Sequence, residues 1–249
     1  MNIRLENIKT NLDVAVEDLP KLAAQKLRIK ENQIKKFQIK RQSLDARKST
    51  IYFIYHLELT LDDELGRKLL KKKLPGVSLV YPTKEEHLLK GTQKLLNRPI
   101  VIGAGPAGLI AALKLAMYGY QPIVLERGKP VEERQRDIAE FWKTGKLNLN
   151  SNVQFGEGGA GTFSDGKLTT RSKDRKVGEA LQILVDCGAP AEITYIHKPH
   201  LGTDRLRSIV GELRKKILSL GGEIYFNSQV TDLILEYDRI RAVEVNGNQ

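Results

Sequence analysis

One cysteine and one tryptophan occur in 249 residues, and aromatic side chains make up only 6% of the chain. A single thiol excludes an internal disulfide, a Cys-x-x-Cys redox pair and a thiolate zinc site. No apolar run approaches the roughly 18 residues that span a bilayer. The opening Met1-Asn2-Ile3-Arg4-Leu5-Glu6 carries charge where a signal peptide has an unbroken apolar stretch. Secreted disulfide scaffolds and membrane proteins are therefore set aside. At 41% apolar and 29% charged, the chain reads as a soluble globular protein, expected in the cytoplasm.

Charge is spread unevenly. Residues 1–98 hold 21 Lys and Arg against 12 Asp and Glu, a net of +9, whereas 99–249 hold 20 against 18, a net of +2. A basic front thus precedes a nearly neutral back. In the front, Ile3 to Ile8 reads as a strand, and a helix follows with Asp18 as its cap and Pro20 in its first turn. Phe37 and Ile39, then Ile51 to Leu61, recur every second residue, the period of strands with one buried face. A further helix from Asp62 ends in Lys71-Lys72-Lys73 and breaks at Leu74-Pro75-Gly76. The fold class expected is α/β: a small basic α+β domain over 1–82, a connector over 83–98, and a Rossmann-like domain over 99–249, incomplete at its C-terminal end. The incompleteness is inferred from Val245-Asn246-Gly247, a strand and hairpin signal with almost no chain left to return. The chain is accordingly expected to be part of a longer polypeptide.

The back opens on Pro99-Ile100-Val101-Ile102, a short buried strand, followed at once by Gly103-Ala104-Gly105-Pro106-Ala107-Gly108 and a helix to Tyr118. This is Gly-x-Gly-x-x-Gly between strand and helix. Gly103 permits the tight turn, Gly105 lets a pyrophosphate approach the backbone, and Gly108 lets the helix lie close on the strand. Pro106 suits a first helical turn, and the free amides there favour anions. Glu126 closes the second strand, where its carboxylate can accept ribose hydroxyls and would repel a 2′-phosphate. The next forty-odd residues are polar and glycine-rich, an interruption that favours FAD over a nicotinamide dinucleotide. Arg127, Arg134 and Arg136 are offered as cations near the pyrophosphate or, equally, as solvated charges.

Ile102 to Gly108 with Leu125-Glu126-Arg127-Gly128 resembles the FAD fingerprint of glutathione-reductase-type flavoproteins. The stretch from Asn152 to Leu168 (NVQFGEGGAGTFSDGKL), with Lys198-Pro199-His200-Leu201-Gly202-Thr203-Asp204, resembles the uncharacterised bacterial FAD-dependent dehydrogenases, also described as NAD(FAD)-utilising dehydrogenases. The resemblance is close over 99–245 and looser over 1–60, through Ser43-Leu44-Asp45-Ala46-Arg47. It implies that Val230 meets adenine through its backbone and that Gly158, Gly159, Ala160 and Gly161 pass near the flavin. It also implies a second flavin-binding segment and a substrate domain, which this chain does not reach.

The implied activity is a FAD-dependent oxidoreductase acting on a small-molecule substrate, with NAD(P)H as a transient reductant. Lys167 and Arg171 could support a reduced flavin or simply be solvated. His200 could move a proton or brace its loop, and His197 and His200 alone make no metal site. Cys187 reads as a small buried residue. Two other functions stay open: a FAD-binding remnant without turnover, and a flavoprotein that binds RNA through the basic front, including Lys71 to Lys73.

Overall fold

Period-two burial in the front organises a four-stranded antiparallel sheet. The structure, a computed structural model, describes residues 1–81, 92, 95–168, 170, 172, 174 and 176–248. The expected connector therefore lies mostly outside the described residues, as does Arg171. The chain divides into two units, one of Met1–Leu88 with Ala191–Pro199, the other of Leu89–Pro190 with His200–Gln249.

The first unit runs β1 (Asn2–Thr10), α1 (Leu19–Leu27), β2 (Lys36–Asp45), β3 (Tyr52–Thr60), α2 (Asp63–Lys71) and β4 (Val77–Leu79), with sheet order β2-β3-β1-β4. Alternate residues Ile3, Leu5, Leu57 and Leu59 are fully buried against Leu19, Ala23 and Leu27 of α1 and Leu69 of α2. Burying each such Leu or Ile stabilises the fold by about 1.5–3 kcal/mol. Pro20 lies in the first turn of α1 as expected, but Asp18 makes no side-chain cap bond, and its backbone is already helical. The expectation that 99–249 runs as one body meets an exception at Ala191–Pro199, which groups with the first unit. There the Gln42 amide donates to the Tyr195 carbonyl at 2.8 Å, and Tyr195 packs on the apolar core.

The second unit contains β5 (Ile100–Ile102), α3 (Pro106–Met117), β6 (Ile123–Leu125), α4 (Val131–Thr144), α5 (Lys176–Val185), α6 (Thr203–Ser219), β7 (Glu223–Tyr225), β8 (Val230–Glu236) and β9 (Arg239–Val245). Parallel strands β5, β6 and β7 lie in that order, with Ile102, Leu125 and Tyr225 in register at their C-terminal ends. Leu109, Leu113, Leu206, Ile209, Leu213 and Ile217 form the buried stripes of α3 and α6. Strands β8 and β9 pair as a hairpin. The turn expected at Asn246-Gly247 also forms: both residues have positive φ, and Val245 and Asn248 exchange backbone hydrogen bonds of 2.7 and 2.9 Å.

Candidate functional site

The parallel strands end beside a cavity of about 240 Å³ bordered by Gly103, Gly105, Glu126, Phe155, Gly159 and Val230. That is less than the roughly 300–1,000 Å³ of a typical ligand site. Gly103 takes φ of +92°, which an L side chain would strain, and its amide donates to the Leu125 carbonyl at 2.8 Å. Gly108 has a different cause: a Cβ there would lie 1.9 Å from the Gly103 carbonyl oxygen. Gly105 has neither constraint. Its φ is −71°, and a Cβ would meet nothing within 4 Å, yet the residue borders the cavity. Neither backbone strain nor packing accounts for glycine at 105.

Gly105 is also the N-cap of α3, with Pro106 at the first helical position. Leu109 is the first amide to bond backward, to the Gly105 carbonyl at 2.9 Å. The amides of Ala107 and Gly108 are the helix-end donors that carry the positive end of the dipole. Ala104 is buried and bonded at both backbone groups: its amide donates to Glu126 Oε2 at 2.7 Å, and its carbonyl accepts from the Gly158 amide at 2.8 Å. The Gly128 amide donates to Glu126 Oε1 at 2.8 Å. A carboxylate accepts about four hydrogen bonds, so Glu126, fixed by two amides at the cavity edge, retains capacity for hydroxyl donors. The Arg127 guanidinium stacks 4.1 Å over the Phe155 ring, and its Nε is buried without a hydrogen-bond partner. Val230 borders the cavity with Ser228 and Gln229, at the start of β8.

Arg134 lies where neither expectation put it. It is neither solvated nor facing a phosphate, but fully buried on α4. Nε donates to the Asn152 carbonyl at 2.7 Å, Nη2 to that of Val153 at 2.8 Å, and Nη1 to those of Glu157 and Gly159 and to Thr162 Oγ1 at 2.7 to 2.9 Å. With its donors engaged by one loop, the guanidinium braces the cavity wall instead of meeting a ligand. Burial draws it down to about 10, opposed by Glu126 and Glu157, so it stays protonated at neutral pH. Arg136 is exposed on the same helix.

Gly158 and Gly159, expected together beside a flavin, have different surroundings. Gly159 borders the cavity, whereas a Cβ on Gly158 would lie 2.5 Å from Thr162 Cγ2 and 3.0 Å from Val210 Cγ2. Gly158 therefore serves packing.

Glu157 was not singled out from the sequence, since an acid inside a glycine-rich run reads as surface. It is fully buried. Oε2 accepts from the Val131 amide at 2.9 Å and from Arg214 at 2.8 Å, while Oε1 has no partner. Burial pushes its carboxyl up to about 7. Arg214 also pairs with Glu132 at 2.5 Å.

The remaining candidates lie apart from the cavity lining. Lys167 pairs with Asp165 at 2.7 Å and bridges His200 through the backbone. His197 belongs to the first unit and His200 to the second. Cys187 is buried and free, and burial raises its thiol. Among the described residues no cluster of His, Cys, Asp and Glu could hold a metal, and no helix is long and apolar enough to cross a membrane.

Comparison with known proteins adds the following. Residues 2–60 match a domain of unknown function (DUF8436). An uncharacterized protein of Clostridium beijerinckii is 43% identical over 250 residues, covering 99% of this chain and 46% of that protein. The chain thus spans about half the length of the curated relative it matches. L-amino acid deaminases of Proteus myxofaciens and Proteus vulgaris are similar at 14% and 13% identity, over 64% of this chain and 45% and 47% of theirs. Both have a TM-score of 0.29, which is too slight to carry an argument. The turn, α3 and Glu126 fall within residues 98–137, which match a FAD binding domain and so support a FAD-dependent protein.

Proposed function

We propose that this chain is the nucleotide-binding part of a FAD-dependent oxidoreductase of the dehydrogenase type, cytoplasmic, with a Rossmann-like second unit. The observation that carries the reading is Gly105, where neither backbone nor packing requires glycine and the freed space opens into the cavity. The strand order supports it: β7, β6 and β5 read as third, second and first strands of a doubly wound sheet, with the crevice at their C-terminal ends. The amides of Ala107 and Gly108 would face the pyrophosphate, Glu126 the ribose hydroxyls, and Val230 the adenine. Arg127 Nε, buried without an acceptor, fits an anionic or carbonyl ligand.

FAD, when bound, supplies a ring able to take up a hydride from a substrate. The part of this chain is to bind, orient and exclude water. Glu126, held by Ala104 and Gly128, would repel the 2′-phosphate of NADP, and Arg134 would keep loop 152–162 closed over the cavity wall. NADH and NADPH are the candidate reductants of the bound flavin. The test is to load the purified chain with FAD and pass it through gel filtration. Retention of about one flavin per chain is expected, and a colourless chain that takes up none overturns the reading. Failure of both NADH and NADPH to bleach retained flavin without oxygen would favour a cofactor-binding remnant.

A further inference from the structure

The first unit presents a surface built without reference to the glycine turn. Its β-α-β-β-α-β order and sheet sequence β2-β3-β1-β4 put α1 and α2 on the same side, over Ile3, Leu5, Leu57 and Leu59. Among the described residues, no helix or strand of that unit packs on the opposite face. Register identifies what stands there: Arg4 opposite Glu58, Arg41 opposite His56, Lys9 opposite Ile54, and Lys36 opposite Thr60. Arg4, Lys9, Lys36, Lys40 and Arg41 are all exposed.

Two acids of this face are already matched: Glu58 lies 3.8 Å from Lys40, and Asp45 pairs with Arg47 at 2.7 Å. Glu6 lies 3.8 Å from His56, an ion pair only when the imidazole is protonated. Arg4, Lys9, Lys36 and Arg41 have no ion-pair partner among the described residues. On this face the central strand β3 carries two rings, Tyr52 and His56, and the Lys9 ammonium sits 3.6 Å from the Tyr52 ring centroid. A cation and an aromatic plane are therefore offered at one point.

We propose that this open sheet face binds single-stranded nucleic acid, its phosphates on Arg4, Lys9, Lys36 and Arg41 and its bases against Tyr52 and His56. Spaced cations answer a repeating phosphate, and every base has a π-face to stack, so the arrangement suits a strand of any sequence. A duplex is disfavoured by size. Four strands at about 4.8 Å span about 14 Å, whereas a major groove about 12 Å wide admits a helix or a two-stranded ribbon. The matched domain of unknown function, residues 2–60, contains all six residues named.

Fluorescence anisotropy of the full chain with labelled oligo(U) and oligo(dT) tests this. If four phosphates are neutralised, affinity should fall about 50-fold between 50 and 200 mM salt, following the single-strand slope of about −0.7 per contact. Arg4→Glu with Arg41→Glu should weaken binding at least about tenfold and flatten that slope. Tyr52→Ala should weaken it about fivefold or more. An unchanged thermal melt shows that these variants fold, and this readout holds whether or not the chain takes up FAD. Binding that is absent at 50 mM salt overturns the proposal. So does loss only on replacing Lys71, Lys72 and Lys73 at the end of α2, or equal competition by duplex DNA or poly-glutamate.

Discussion

Two glycine-rich stretches meet in the second unit, and Gly105 of one and Gly158 of the other are glycine for opposite reasons. At 103–108, a Cβ on Gly103 or Gly105 would meet nothing within 4 Å. At 156–159, the neighbours are already there: a Cβ on Gly156 would lie 2.5 Å from Arg134 Cδ, and one on Gly158 would lie 2.5 Å from Thr162. Even Gly128, between the two in sequence, would collide with Gly156 Cα at 2.5 Å. The first stretch leaves open space at Gly103 and Gly105, and the second wraps a buried arginine. Composition alone cannot separate the two; what an added methyl group would touch does.

The comparison predicts that the wrapping stretch carries the stability. Arg134→Met would strip charged donors from the carbonyls of residues 152, 153, 157 and 159 and leave them buried. Loss of such a network costs about 4 kcal/mol or more, visible as a collapse of the denaturant midpoint, with FAD retention lost alongside. A variant within 1 kcal/mol of the parent would mean that the loop holds without its brace. Gly158→Ala comes next. Its φ of +82° and the 2.5 Å clash with Thr162 together cost about 2–4 kcal/mol. The same midpoint measures it.

The sequence exposed one stretch far better than the other. Strand, turn and helix from Ile100 to Met117 follow from spacing, because each glycine of the turn acts on the backbone next to it, and Glu126 directly follows the adjacent strand. Arg134 could not be read this way. Its partners are carbonyl oxygens 18 to 25 residues distant, and every residue type carries a carbonyl. Tyr195 is a similar case: nothing local shows that it joins a core built from residues 3–69. The alternation in β1 and β3 was legible, while the open face of their sheet was not, since that depends on both helices choosing the same side.

A smaller effect separates the stretches by pH. Glu157, at about 7 in the fold, ionises against burial and against Glu132 and Glu126, with Arg214 and the Val131 amide favouring its charged form. Its folded value lies above the ordinary 4.5 of a glutamate carboxyl, so the folded state holds the proton more tightly. That contribution is complete below about pH 4.5 and fades as pH rises to about 7, being worth about 3 kcal/mol. Stability of the parent relative to Glu157→Gln should therefore decline across that window and level off above it. A flat difference would place the ionised carboxylate comfortably in the core, with its orphaned oxygen reached by water.

The smallest expected change in stability is the most telling for the turn. At Gly105 the backbone already suits any residue, and the Cβ of Gly105→Val would meet nothing within 4 Å. Unfolding should shift by no more than about 0.5 kcal/mol, as for an exposed substitution, while retained FAD should fall at least tenfold because the new side chain occupies the space beside the helix end. The two readouts must part for the comparison to stand. If stability and FAD fall together, position 105 belongs with the packed stretch after all; if neither moves, the cavity edge at this turn is not where a dinucleotide lies.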